Sequence, residues 1–316
     1  MRIALGIWWD GSHIPDDALQ CNAYLVEAGA QSVLIDPGSA LVADRTLDKI
    51  RQVIPVDRIK YFVCQHSDPD IIGTLPIILD AARRKDATLV MHWRSEMLAK
   101  HLGLGLPFWR IEEHGWTLNA NGRSFDFVLT PYLHFPGAFC TLDRRTKTLF
   151  TSDLFGAMSD DWSLFAKDAS HFEAVRNFHE HYMPSREILA SGLASIEKFP
   201  IRLIAPQHGS IIRAPLIRLM FNRLKSLDWG IYQLARHDTR IRRLMEINAI
   251  QRKIGTAIVV YRDFASVAAE LREAVGRVLP LKSIEFWSTQ MDGQVGEAMQ
   301  FAPQPHYRGE IVPLPK

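Results

Sequence analysis

Residues 65–76 read Gln65-His66-Ser67-Asp68-Pro69-Asp70-Ile71-Ile72-Gly73-Thr74-Leu75-Pro76, and this stretch limits the possible folds more than any other. It follows an apolar run around Ile59-Lys60-Tyr61-Phe62-Val63-Cys64 that reads as a strand, and it precedes Leu75 to Arg84, which reads as an apolar helix. His66, Asp68 and Asp70 alternate, so a turn here splays one imidazole and two carboxylates around a small volume. The fold must therefore end a strand where three chemically active side chains can be used together.

Similar strand signals recur through the first two thirds of the chain. Ser32 to Gly38 is an apolar strand stopped by a Pro-Gly turn, and Ala87 to Trp93, Phe125 to Leu133 and Ile201 to Ala205 are further strands. Phe139 to Asp143 and Lys147 to Thr151 flank Arg144-Arg145-Thr146 as a hairpin. Helical patterns fall between them at Ser95 to His101 and Ser185 to Lys198. Strands alternating with helices and interrupted by hairpins predict a layered α/β or α+β sandwich.

Three more candidate donors stand where later strands end. His134 closes Thr130-Pro131-Tyr132-Leu133-His134, Asp153 closes Phe150-Thr151-Ser152-Asp153, and His208 lies in Ala205-Pro206-Gln207-His208-Gly209. Any one of them taken alone is an ordinary surface histidine or a turn-forming aspartate. Six such residues at the ends of four strands, in order, instead describe a metal site on the rim of a sheet. Three histidines and three aspartates form an oxygen-rich set that suits iron or manganese better than a thiolate-rich set would.

After about residue 212 the character changes. From Arg213 to Lys253 basic residues outnumber acidic ones ten to three, with Leu216, Met220, Phe221 and Leu224 at helical spacing. A solvated amphipathic helix explains this better than a nucleic-acid contact, and a net charge of +2 over 316 residues points to neither nucleic acid nor a membrane. Thr256 to Tyr261, Ala265 to Val278 and Ser283 to Trp287 read as a small βαβ-like unit. Cys21, Cys64 and Cys140 have no metal-type spacing and read as buried free thiols of a cytoplasmic protein. The N-terminal apolar run is too short for a signal peptide, and no apolar run is long enough to span a membrane.

His66-x-Asp68-x-Asp70, then Gly73-x-Leu75-Pro76, His134, Asp153 and Ala205-Pro206-x-His208-Gly209, resemble the metallo-β-lactamase superfamily. Within it the pattern is similar to the diiron domain of flavodiiron proteins and of oxygen-binding diiron proteins, and Asn22 to Val26 with Leu34 to Ser39 resembles that group's opening hairpin. The resemblance implies a four-layer αββα sandwich over residues 1–250, followed by a short helical and βαβ-like extension over 251–316. It implies two non-haem iron ions, joined by an oxo or peroxo bridge. His66, Asp68 and His134 would hold the first ion, Asp70 and His208 the second, and Asp153 both.

Two departures from the family pattern, His-x-Glu-x-Asp-His, stand out. Asp68 replaces the glutamate, and Ile71 replaces the second histidine, leaving the second ion short of a ligand. His179 or His181 is available to fill that place or to donate a proton, and Tyr132 to wall the pocket. Flavodiiron reductases carry a flavodoxin-like domain downstream. Here Ile258 to Val267 has no phosphate-cradling loop, so no FMN is expected. The leading expectation is a dioxygen-binding sensor domain, homodimeric and coupled to a signalling output. The alternatives are a dioxygen or nitric oxide reductase fed by a separate donor and, third, a metal-dependent hydrolase.

Overall fold

The computed structural model describes residues 1–227, helical positions at 269, 272 and 273, and three strands at Ile284–Thr289, Val295–Phe301 and Glu310–Val312. The chain divides into two compact units, Met1–Ile231 and Tyr232–Lys316. The boundary expected at 250 and the strand expected over Thr256 to Tyr261 lie outside the described residues.

The first unit opens with a seven-stranded sheet: β1 (Arg2–Ala4), β2 (Ile7–Trp9), β3 (Tyr24–Val26), β4 (Ser32–Ile35), β5 (Ile59–Val63), β6 (Thr88–Met91) and β7 (Phe108–Arg110), side by side in that order. The first four pair antiparallel; β4 through β7 run parallel. Parallel neighbours need crossovers. Helices α1 (Ala43–Val53), α2 (Pro69–Ile72), α3 (Leu75–Ala82) and α4 (Trp93–Ala99) lie in the connections between them. A six-stranded sheet follows: β8 (Thr117–Ala120), β9 (Arg123–Leu129), β10 (Phe139–Asp143), β11 (Thr148–Ser152), β12 (Leu203–Pro206) and β13 (Ile212–Arg213), adjacent in chain order. The long β11–β12 crossover carries α5 (His171–Tyr182) and α6 (Arg186–Glu197), and α7 (Ala214–Ser226) follows β13.

Side-chain alternation stacks these elements into four layers, because successive residues of a strand face opposite sides of its sheet. Val33, Ile35, Val63 and Val90 of the first sheet meet Phe125, Phe127, Phe139 and Phe150 of the second in one apolar cluster. Their neighbours Leu34, Phe62 and Leu89 turn outward to pack with α1, α2 and α3. Val128, Leu142, Leu149 and Ile204 turn outward from the second sheet onto α5, α6 and α7. Strands buried on both faces read as nearly continuous apolar runs. This is the expected αββα sandwich.

Local chemistry sets the ends of several elements. Ser185 caps α6, its hydroxyl accepting from the Ile188 amide at 3.4 Å. The β10–β11 turn is one residue longer than expected, because Lys147 takes a left-handed φ of 62° and its amide bonds Asp143 O at 2.9 Å. On α7, Ile217, Met220, Phe221 and Leu224 form the buried face of the amphipathic pattern. Among the described residues, no helix is long and apolar enough to cross a membrane.

In the second unit, Ile284–Thr289 (β14) pairs antiparallel with Val295–Phe301 (β15), which pairs antiparallel with Glu310–Val312 (β16). The expected strand near Ser283 to Trp287 is there, and the described positions 269, 272 and 273 of the expected Ala265 to Val278 helix are helical; two further antiparallel strands follow where none was expected. The two later strands went unread because their sequence alternates weakly and is broken by Gly and Pro.

Candidate metal centre

Four strands of the first unit deliver side chains to one rim. The chain leaves β5 into His66, β9 through a tight turn into His134, β11 directly into Asp153, and β12 through Gln207 into His208. The local backbone is bent to do this. Ser152 has φ 50° and Tyr132 φ 64°, left-handed values that non-glycine residues seldom adopt. Gly209, at φ 77°, sits where a Cβ would lie 2.5 Å from the Cβ of Ala157, so glycine is required directly after His208.

Asp68 stands at the N-cap position of α2, yet its side chain makes no capping hydrogen bond. It turns to the rim instead, with Oδ2 at 3.1 Å from His134 Nε2 and 3.5 Å from His66 Nε2. Asp153 Oδ2 lies 2.6 Å from His134 Nε2 and 3.4 Å from His66 Nε2. The other oxygen, Oδ1, lies 3.5 Å from His208 Nε2, which is 3.1 Å from Asp70 Oδ2. One carboxylate thus presents one oxygen to His66 and His134 and the other to His208. His66, Asp68 and His134 form one set of possible metal donors; Asp70, His208 and Cys21 form another.

Electrostatics agree with that geometry. Burial alone would lower His134, but hydrogen bonds to Asp153 and Asp68 outweigh it and lift the imidazole to about 10. His66 and His208 are likewise raised against the pull of burial, His66 chiefly by Asp153 and His208 chiefly by Asp70. Hydrogen bonds from His134 and His66 hold the Asp68 carboxyl well below the usual carboxylate range. Burial would raise Asp153, yet the charges of His66, His134 and His208 keep it below its ordinary value. Asp153 is 1 % exposed, and its Oδ1 has no hydrogen-bond partner. A buried carboxylate left this way is poorly compensated by neutral protein, whereas a cation beside each oxygen would satisfy it. The donor set fits two metal ions.

Tautomers are fixed from behind the rim. His208 Nδ1 faces the Gln20 carbonyl at 3.1 Å and must donate to it, which leaves Nε2 free to ligate. His66 Nδ1 shares a 2.9 Å hydrogen bond with Ser152 Oγ. Gln207 Nε2 donates to the Asp70 carbonyl at 3.1 Å and to its Oδ2 at 3.4 Å. Phe135 stacks on His66, Phe178 lies 5.1 Å from His208, and the Tyr182 ring lies 5.9 Å from His134. None of these positioning groups was read from the sequence. Ser152 and Gln207 adjoin a candidate ligand, which is a usable signal; the aromatic walls carry none.

The reserve candidates stand elsewhere. His179 is fully buried, and both ring nitrogens are engaged: Nδ1 donates to Val175 O at 2.8 Å, and Nε2 accepts from the Phe155 amide at 3.3 Å. Burial lowers it to about 4, as befits a neutral core histidine. His181 is exposed and bonds Asn177 O within its own helix. Tyr132 is 47 % exposed, and the ring beside His134 belongs to Tyr182. Ile71 packs in the apolar cluster with Leu34 and Phe62.

With this geometry in view, known proteins show similarity at two levels. The ODP family beta lactamase pattern matches residues 19–209. The chain belongs to that family. It is 29 % identical over 231 residues to the type A flavoprotein fprA of Rhodobacter capsulatus, covering 68 % of this chain and 52 % of that protein. The chain spans about half the length of the curated relatives it matches. A solved structure described as a peroxy diiron species of the chemotaxis sensor ODP superposes with a TM-score of 0.63 at 25 % identity, covering 73 % of this chain and 94 % of that one. Rubredoxin oxygen:oxidoreductase of Desulfovibrio gigas shares the fold, with a TM-score of 0.64 at 22 % identity over 72 % of this chain and 60 % of its own.

Proposed function

We propose that this ODP-family chain is a dinuclear iron domain that binds dioxygen and passes its occupancy to a coupled output. One observation carries the metal part: the buried Asp153 aims its two oxygens at two separate donor sets. His66, Asp68 and His134 hold one ion, Asp70 and His208 hold the other, and Asp153 spans them. The preponderance of oxygen and imidazole donors favours iron over softer metals. Iron supplies the redox chemistry that dioxygen binding requires. The chain's own residues prepare the ground: Ser152 and the Gln20 carbonyl fix the imidazoles, Gln207 steadies Asp70, and Phe135, Phe178 and Tyr182 restrict water around them.

Two observations support a sensor over a reductase. A matched structure at 25 % identity is described as a peroxy diiron species of a chemotaxis sensor. The described strands of the second unit form an antiparallel sheet, unlike the parallel doubly wound sheet on which flavodoxin-like folds carry FMN. A unit of that kind suits docking to an output, or to a second copy of the chain, whose equilibrium then responds to occupancy.

The test mixes anaerobic, iron-loaded, reduced protein with dioxygen in a stopped-flow instrument. Steady-state oxygen consumption with a flavoprotein reductase follows. A visible absorption that forms fast and decays slowly, with little consumption, is expected. Sustained consumption at roughly 10 s⁻¹, the median of ordinary enzymes, would establish a reductase instead. Failure to bind iron would remove both readings.

A further inference from the structure

We propose that Cys21 is a protein ligand of the second metal, its thiolate standing in for the imidazole that Ile71 replaces. The inference rests on the two-metal reading and completes it. Cys21 Sγ lies 4.0 Å from Asp70 Oδ2, and the ligand atoms of Cys21, Asp70 and His208 all lie within 4.8 Å of one another. The grouping is built into the backbone. Cys21 and His208 form an isolated antiparallel bridge, flanked by a 2.6 Å hydrogen bond from the Asn22 amide to Gln207 O. Asn22 Nδ2 also donates to Pro206 O and Gly209 O, each at 2.9 Å. These contacts clamp the loop carrying the thiol onto the strand end carrying the imidazole.

A second observation points to a ligand at the same place. Asp153 Oδ1, buried and without a hydrogen-bond partner, is the oxygen that faces His208. The thiol makes long contacts to Leu19 O at 3.9 Å and to Asp70 Oδ2, and it also meets the His208 imidazole. The other two cysteines show what a packing role looks like here. Cys64 belongs to the apolar cluster outside the first sheet and Cys140 to the one outside the second, and neither belongs to a donor group. His179, the alternative replacement, spends both nitrogens inside the fold.

With Cys21 included, each metal has four protein donors. The first takes His66, Asp68, His134 and Asp153; the second takes Asp70, Cys21, His208 and Asp153. The two are unequal in character, since a thiolate makes the second site the softer one, with a relative preference for zinc, cobalt or ferrous iron over manganese. On binding, the S–H bond of Cys21 is replaced by an S–metal bond and the proton leaves to solvent, with no change of oxidation state.

The experiment titrates the metal-free full chain with cobalt(II) under anaerobic conditions. Wild-type protein should bind two cobalt ions and develop a thiolate-to-cobalt charge-transfer band in the near ultraviolet with one of the two equivalents. Cys21→Ser should lose the band and bind that equivalent more weakly, by more than the ~10–100-fold that loss of an outer-shell partner costs. X-ray absorption at the cobalt edge of the wild-type chain should show a sulfur neighbour, a readout independent of how the variant folds. Two bound cobalt ions with neither band nor sulfur neighbour would overturn the assignment of Cys21 and leave the two-metal reading standing. A chain that binds neither cobalt nor iron would overturn both.

Discussion

Two ends of the second sheet each bury an aspartate, and the chain treats them oppositely. Asp143, at the end of β10, is fully buried and held by Arg123 through a pair of bonds at 3.0 and 2.9 Å. Thr146 N donates to it at 2.9 Å, and the Thr146 hydroxyl bonds it as well. The same Arg123 reaches Leu5 O, Gly6 O and Glu27 O, tying the two sheets together. Asp153, at the opposite end of β11, meets three imidazoles and keeps one oxygen without a hydrogen bond. Where the protein supplies its own cation it builds stability. Where it offers only imidazoles, which can give up their protons, a cation from outside can take their place.

The largest expected effect falls on the second of these. Asp153→Ala should cost both metals, because it removes the one group common to the two donor sets, while the far-ultraviolet circular dichroism stays that of the folded chain. Elemental analysis after iron-replete growth checks this; full metal content in the variant would show that Asp153 does not bridge. The opposite end should behave in the converse way. Arg123→Ala leaves Asp143 as an unpaired buried charge and should cost about 3–5 kcal/mol of stability, read by denaturant unfolding. Protein that still folds should bind metal normally. Loss of metal in this variant would mean that the two ends are coupled.

A third buried carboxylate is treated in neither way. Asp10 is fully buried, and both its oxygens lack hydrogen-bond partners, with the N-terminal ammonium and Lys49 as its nearest compensating charges. Burial raises its carboxyl from 3.8 to about 6, against the pull of those two cations. The folded chain therefore holds this proton more tightly than the unfolded one, and stability falls as pH rises from about 4 to about 6. Asp10→Asn should abolish that fall and gain about 2–3 kcal/mol at pH 7, taking about 1.4 kcal/mol per pKa unit. Parallel urea titrations at pH 4.5 and pH 7 decide it; an Asn variant no more stable than wild type at pH 7 would mean that the carboxylate has compensation that these neighbours do not explain.

What the sequence disclosed about the site follows the same division. Candidate donors at strand ends are legible, because a strand announces itself by its apolar run and leads its chain onto a rim; His66, His134, Asp153 and His208 are all of that kind. Asp68 stands at the N-cap position of α2, and the turn of its side chain toward His134 is what distinguishes it from a cap. Cys21 reads in the sequence as a buried free thiol, and its nearness to His208 was not legible, because it comes through pairing that joins residues far apart in sequence. The layers of the fold were legible from alternation in the long strands, whereas three-residue strands such as β1 and β2 are too short to show a period.

The smallest expected effect tests whether the rim is tuned as well as assembled. Ser152 sits immediately before Asp153 in a left-handed conformation, and its hydroxyl bonds His66 Nδ1 at 2.9 Å. With Nε2 turned toward the donor set, Nδ1 carries the ring proton and Ser152 Oγ accepts it, which holds the tautomer and the ring plane. Ser152→Ala keeps the backbone demand nearly unchanged, since either residue has a Cβ at that φ, and removes only the acceptor. Affinity for the metal at His66, Asp68 and His134 should fall about 10-fold, equal to about 1.4 kcal/mol, at the low end of what outer-shell partners contribute. The metal at Asp70 and His208 should be held as before, because its imidazole is oriented by the Gln20 carbonyl instead. Competition against a chelator, followed one equivalent at a time, separates the two. Equal weakening of both equivalents would mean that the left-handed turn at Ser152 positions Asp153 and that the hydroxyl matters for the backbone; weakening of one alone would place its role on the His66 ring.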